Sequence, residues 1–167
     1  MGLAHVVKAS DEDLLWLYPG STLQESARSW QRMGAGMVVV TRGELGPWAV
    51  TDATGPVGAQ VPATSTDVVD TVGAGDTFMA ALISQAVDLG ITGPGAAQKL
   101  AALDEAQVCA ILARASDAAA VTVSRAGADL PRRAELEDLA RMRPRGGADQ
   151  DAPGCRDDAR PPVQQAE

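Results

Sequence analysis

Blocks of apolar residues alternate with polar and glycine-rich turns along this chain, and the spacing inside each block predicts its element. Ser10-Asp11-Glu12-Asp13 reads as a helix N-cap with an acid three residues on, a variant of the capping box. The short helix it opens ends at Tyr18-Pro19-Gly20. Ser21-Thr22-Leu23-Gln24 reads as a second capping box. It opens a helix with Leu23, Ala27, Trp30 and Met33 on one face, stopped by Gly34 and Gly36. Met37–Thr41 is a short unbroken apolar run between turn residues, the pattern of a strand covered on both faces in a parallel sheet. Residues 42–46 form a turn. Trp48–Thr51, 57–61 and 66–72 read as further strands, with a hairpin turn at 52–55.

Phe78, Leu82 and Ala86 recur at helical spacing and Gly90 closes that helix. Residues 94–120, rich in alanine and leucine, read as one or two helices, and 121–124 as a final strand. A last amphipathic helix spans 134–142. From Pro144 onward apolar residues almost vanish, so 144–167 is expected to be a disordered tail behind a domain at 1–143. Strands interleaved with helices indicate an α/β fold.

Composition narrows the function. The formal net charge of −8 and the lack of a basic stripe argue against nucleic acid. No uninterrupted apolar run reaches the roughly 18–20 residues of a membrane span, so no membrane partner is expected. Cys109 and Cys155 have no zinc spacing. Cys109 is expected as a core thiol on a helix, in a reduced, cytoplasmic protein. The single histidine, His5, has no nucleophile near it in sequence and is no triad member.

One stretch carries chemistry: Asp70-Thr71-Val72-Gly73-Ala74-Gly75-Asp76-Thr77-Phe78. Glycines before a helix allow backbone N–H groups to converge on an anion. The acid that follows, Asp76, sits where it could take a proton from a hydroxyl attacking a phosphoryl group. Equally, Asp76 could simply cap the helix. The residues alone leave both readings open.

The same stretch resembles the D-T-x-G-A-G-D-x-F signature of the PfkB (ribokinase-like) carbohydrate kinases, bacterial fructokinases among them. Val39-Val40-Thr41-Arg42-Gly43-Glu44-Leu45-Gly46 is similar to the family's V-T-x-G-x-x-G nucleotide loop. The segment from Val6 to Leu14 resembles the one carrying N-x-x-E, with Ser10 in place of Asn and Asp13 in place of Glu. The segment from Ala118 to Gly127 resembles the closing A-x-x-V-T-x-x-G. The resemblance covers roughly residues 4–139.

It implies the C-terminal, nucleotide-binding part of a three-layer α/β/α fold with a mostly parallel sheet. It implies ATP-dependent phosphorylation of a small sugar, with Asp76 as general base and Gly73, Ala74 and Gly75 as the anion hole. Thr41, Gly43, Gly46 and Gly75 would line the ATP, with Ser116 near its adenine. Asp13 would act through water on Mg2+. Asp70 and the carbonyl of Val72, completed by the carbonyls of Thr122, Arg125 and Gly127, would hold a monovalent cation such as K+. The family's N-terminal, sugar-gripping half has no counterpart here. The expected alternatives are therefore a kinase completed by a separate N-terminal half, or a non-catalytic, vestigial nucleotide-binding domain. An exposed sheet edge predicts association, with that half or in a homodimer.

Overall fold

A computed structural model describes residues 3–142. Its frame is a four-stranded sheet in the order β1-β2-β3-β4, made of β1 (Val6–Ser10), β2 (Met37–Thr41), β3 (Trp48–Thr51) and β4 (Ala59–Gln60). β1 and β2 run parallel, and the other two pairs are antiparallel. The sheet is thus mixed rather than mostly parallel: β1 and β2 are joined through α1 and α2 and run parallel, whereas the short links after β2 and β3 pair those strands antiparallel.

β2 is covered on both faces, as its apolar run predicts. Met37 and Val39 join one core, and Val38 and Val40 the other. The second core is roofed by α1 (Asp11–Leu17) and α2 (Leu23–Arg32), which contribute Leu14, Ala27 and Trp30. Tyr18 closes its rim, accepting the Trp30 indole N–H at 2.8 Å. The first core is roofed by α3 (Ala74–Asp88) and α5 (Glu105–Val123), with the short α4 (Ala96–Ala101) supplying Leu100. The expected three layers are present. α6 (Arg133–Met142) follows as the last described helix.

Local signals placed the starts of α1 and α2 to within a residue. Ser10 caps α1 and Asp13 returns the bond, as expected. At α2 the box is one residue later than read: Thr22 caps and Glu25 answers, donating its N–H to Thr22 Oγ1 at 3.1 Å and accepting the Thr22 N–H at 2.8 Å. A carboxylate at the third position makes a stronger acceptor than Gln24, and this selects the register.

Three expected strands differ. Residues 121–124 are not a strand, because α5 runs through Val123. Val108, Ile111, Ala115, Ala118 and Thr122 form one continuous buried stripe at helical spacing, and this packing overrides the β preference of Val-Thr-Val. The neighbours of β2 are consequently β1 and β3, and β1 is an edge strand among the described residues. Residues 66–72 form no ladder either. They cross the C-terminal end of α5, where the N–H groups of Val69 and Asp70 satisfy the Val123 carbonyl at 2.7 and 3.2 Å. The strand expected at 57–61 shrinks to Ala59–Gln60, since Val57 is exposed and Gly58 takes a positive φ against the Trp48 ring.

α5 has the length and mean hydropathy of a membrane span. It also carries Arg114 and Asp117, and its apolar stripe faces the core. Cys109 is buried on this helix as expected, but its sulfur is in a disulfide rather than a reduced thiol. Cys155 and the tail expected from Pro144 lie outside the described residues.

α3 and α5 pack along their lengths and share one buried polar contact: the hydroxyls of Thr77 and Thr122 lie 2.8 Å apart. Thr122 Oγ1 can also donate to the Ala118 carbonyl at 3.5 Å. Thr77→Val is expected to cost about 1–2 kcal/mol, as is Thr122→Val. The double variant should cost clearly less than the sum, with a coupling of at least about 0.5 kcal/mol. Chemical denaturation of the four proteins measures this.

Candidate active site

The C-terminal ends of the parallel strands β1 and β2 lie side by side, with Ser10 opposite Thr41. In open α/β sheets this edge is where ligands bind. The start of α1 and the loop after β2 leave from it, and the Lys8 ammonium on β1 reaches the start of α3.

The start of α1 is rigid. Asp13 donates its N–H to Ser10 Oγ at 3.0 Å, and Asp13 Oδ2 accepts the Ser10 N–H at 3.3 Å. The Ser10 hydroxyl first, and then the Ser10 N–H, hold the Asp13 carboxyl below its ordinary value, helped by the charge of Lys8. Ser10 and Asp13 thus act as a cap in this structure.

After β2, Thr41 donates its hydroxyl to the Ala9 carbonyl at 3.4 Å and ties the two strands together. Arg42 folds back, its Nε donating to the Gly46 carbonyl at 3.1 Å. Gly43 faces open space. A Cβ at Gly46 would overlap the Val61 carbonyl oxygen and come 2.6 Å from the Ala63 nitrogen. Gly46 is therefore a packing glycine that lets this loop lie on the β4 segment. Ser116 is likewise turned inward: it is buried on α5, where its hydroxyl accepts the Thr64 N–H at 3.1 Å. The structure brings Thr41 and Gly43 to the strand ends and keeps Ser116 beneath residues 62–65.

The start of α3 is shaped by Gly73, whose φ of +81° makes it a left-handed N-cap without a side-chain cap. Ala128 packs against it, so that a Cβ here would lie 2.9 Å from the Ala128 Cβ. The Ala74 N–H is drawn to the Thr71 carbonyl at 3.3 Å. The N–H groups of Gly73, Gly75 and Asp76 have no backbone acceptor among the described residues. Asp76 is exposed at the third helical position, and its side chain makes no capping bond. The capping alternative is not what this carboxylate does here.

Asp70 braces the loop from below. Its two oxygens accept the N–H groups of Val72 at 3.0 Å and of Gly127 at 2.9 Å. The Thr122 carbonyl accepts the Arg125 N–H at 3.1 Å, and the Gly127 carbonyl accepts that of Asp129 at 2.9 Å. Arg125 pairs with Glu135 at 2.7 Å and Asp129 at 3.3 Å. Of the residues expected around a monovalent cation, Asp70, Thr122 and Gly127 thus already serve as braces. Among the described residues no three His, Cys, Asp or Glu side chains cluster to cage a metal.

Two participants escaped the sequence reading. One is the Thr77–Thr122 contact. The other is Lys8 on β1, whose ammonium reaches Gly75. Its only sequence signal is a basic residue one step out of the apolar alternation of a buried-edge strand.

Comparison with known proteins places this geometry. Residues 1–135 match the model of the pfkB family carbohydrate kinases. The chain belongs to that family. It is 40% identical over 79 residues to a fructokinase of Rhizobium leguminosarum bv. trifolii, covering 47% of this chain and 23% of that protein. It is 32% identical over 139 residues to probable fructokinase-4 of Arabidopsis thaliana, covering 81% of this chain and 39% of the relative. A crystal structure of Vibrio cholerae fructokinase in a fructose-, ADP- and calcium-bound form superposes with a TM-score of 0.61 at 26% identity, covering 82% of this chain and 41% of that one. The pfkB-family chain therefore spans at most about two fifths of the length of these relatives.

The Asp70 brace generates a pH dependence. Its carboxyl is held below the ordinary aspartate value, first by the Val72 N–H and then by the Gly127 N–H. A lowered carboxylate pKa contributes stability that is present above the unfolded value and lost as pH falls through the folded one. The brace should hold at neutral pH and release below about pH 4. In an NMR acid titration the Val72 and Gly127 amide signals are expected to move together in that range. Amides that stay still there would exclude the brace.

Proposed function

We propose that this chain supplies the nucleotide-phosphate and general-base side of an ATP-dependent sugar kinase of the fructokinase and ribokinase type. The observation that carries the reading is the position of Asp76. Its carboxylate stands exposed and uncapping on the first turn of α3, next to N–H groups without acceptors.

The chemistry follows from that placement. The amides of Gly73, Gly75 and Asp76, at the positive end of a 15-residue helix, stabilise charge on the transferring phosphoryl group. Asp76 accepts the proton of the sugar hydroxyl as its oxygen bonds to the γ-phosphorus. The bond from that phosphorus to the bridging oxygen breaks, and its electron pair leaves with ADP. Thr41 and Gly43 lie along the phosphates, while Gly46 shapes their loop. Magnesium bound on the phosphates would neutralise part of their charge, with Asp13 as its water-linked partner. Asp70 and the Val72 carbonyl would hold a monovalent cation beneath the loop. The sugar itself is held by the part of the family's length that this chain does not match, whether on the same polypeptide or a separate N-terminal half.

Asp76→Asn tests the base. The chain is assayed for fructose-dependent ADP release with the N-terminal portion of a fructokinase relative supplied. The variant is expected to turn over about 10²–10⁴-fold more slowly while binding Mg-ATP normally. Parental turnover would remove Asp76 as base. Nucleotide binding by the parent chain without turnover would favour a non-catalytic nucleotide-binding domain.

A further inference from the structure

Where α3 and α5 meet, part of the seam is lined by small side chains: Ala81 and Ser84 on one helix and Ala118 on the other. Longer side chains would fill that space; these leave it empty. The chain after α5 then folds back over the seam and brings Pro131 and Leu136 across it. The result is a cavity of about 140 Å³, the size that accepts one small ring. Its third wall is clamped in place. Arg133 Nη2 meets Asp88 of α3 at 2.8 Å, and Arg125 Nη2 meets Glu135 of α6 at 2.7 Å.

The charge in this lining does not balance. Arg133 is matched by Asp88 and by Glu137 at 3.2 Å. Arg114 of α5, half-buried in the same lining, is not. Its Nη1 donates to the Leu136 carbonyl at 3.1 Å, and among the described residues no carboxylate pairs with its guanidinium. The fork therefore keeps N–H groups to spare beside apolar walls. The Ser84 hydroxyl on α3 also makes no hydrogen bond to a described residue. A guanidinium fork matches the two oxygens of a carboxylate. One unbalanced charge suits a monoanion, and the Ala81, Ala118 and Leu136 side suits an apolar tail.

We propose that this cavity binds a small monocarboxylate with an apolar tail. The carboxylate accepts from Arg114 and from the Ser84 hydroxyl, and the tail lies against Ala81, Ala118 and Leu136. The cavity runs along the body of α3 from Thr77 to Asp88 and uses none of the N–H groups of its first turn. The inference is therefore independent of the kinase reading above.

The test is an NMR titration of the full chain with benzoate as the probe. Benzyl alcohol, which keeps the ring without the charge, and acetate, which keeps the charge without the ring, are the controls. Benzoate should give saturable shifts at the Ser84, Arg114 and Leu136 amides and at Arg114 Nε, in the millimolar range expected for so small a ligand. Both controls should bind at least about tenfold more weakly, benzyl alcohol for want of the charged hydrogen bonds and acetate for want of apolar contact. Arg114→Met keeps the stem, removes the fork and should weaken benzoate by about tenfold or more. That change also frees the Leu136 carbonyl, so Ser84→Leu serves as a second variant. It fills the cavity, leaves Arg114 in place and should abolish the benzoate shifts. Benzoate binding that survives Ser84→Leu, benzyl alcohol that binds as well as benzoate, or benzoate shifts that do not saturate or lie elsewhere would each overturn the assignment.

Discussion

The packing of α3 against α5, which buries the Thr77–Thr122 hydrogen bond, sets the position of the first turn of α3. Thr77 directly follows Asp76. One face of that turn is therefore locked into the core while Asp76 is left outside it. A glycine N-cap with left-handed backbone is tolerated here because neighbouring structure holds it on both sides. Ala128 packs above, and the Asp70 carboxylate binds the Val72 and Gly127 amides below. Without that anchorage, a capless helix start with unsatisfied N–H groups would fray.

The two cores bring the other half of the site to the same place. β2 contributes alternate side chains to both, which sets the height of the strand ends relative to the helices. The ends of β1 and β2 then carry the Ser10 cap, Thr41 and the loop through Gly46. Charge is arranged with the same economy. The amides of Gly73, Gly75 and Asp76 have no backbone acceptor among the described residues, while the neighbouring Asp13 and Asp70 carboxylates are held by N–H groups. A negatively charged ligand would complete that arrangement, as the proposed function requires.

Much of this was legible in the sequence because it is local. The Ser10 box, the doubly covered Met37–Thr41 strand, the helix after Gly75 and the three-layer class depend on residues within a turn or two of each other. Strand against helix at 121–124 was decided at long range, by a buried stripe that begins at Val108. The β-branched residues of 66–72 found an orphan carbonyl at the end of α5 instead of a ladder partner. Family resemblance marked Gly46 and Ser116 as ligand residues, but close packing against the Val61 carbonyl and the Thr64 N–H gives them structural work. Lys8 and Gly75 meet across the sheet and helix layers, and no periodicity along the chain encodes that.

The central claim is that the first turn of α3 is an anion site for a nucleotide phosphate. An amide NMR titration of the full chain with Mg-ATP tests it most directly. The account predicts that Gly73, Gly75 and Asp76 shift first and furthest, with smaller changes at Thr41 and Gly43. Saturable binding that leaves these three amides unmoved, with its shifts elsewhere on the molecule, would contradict it.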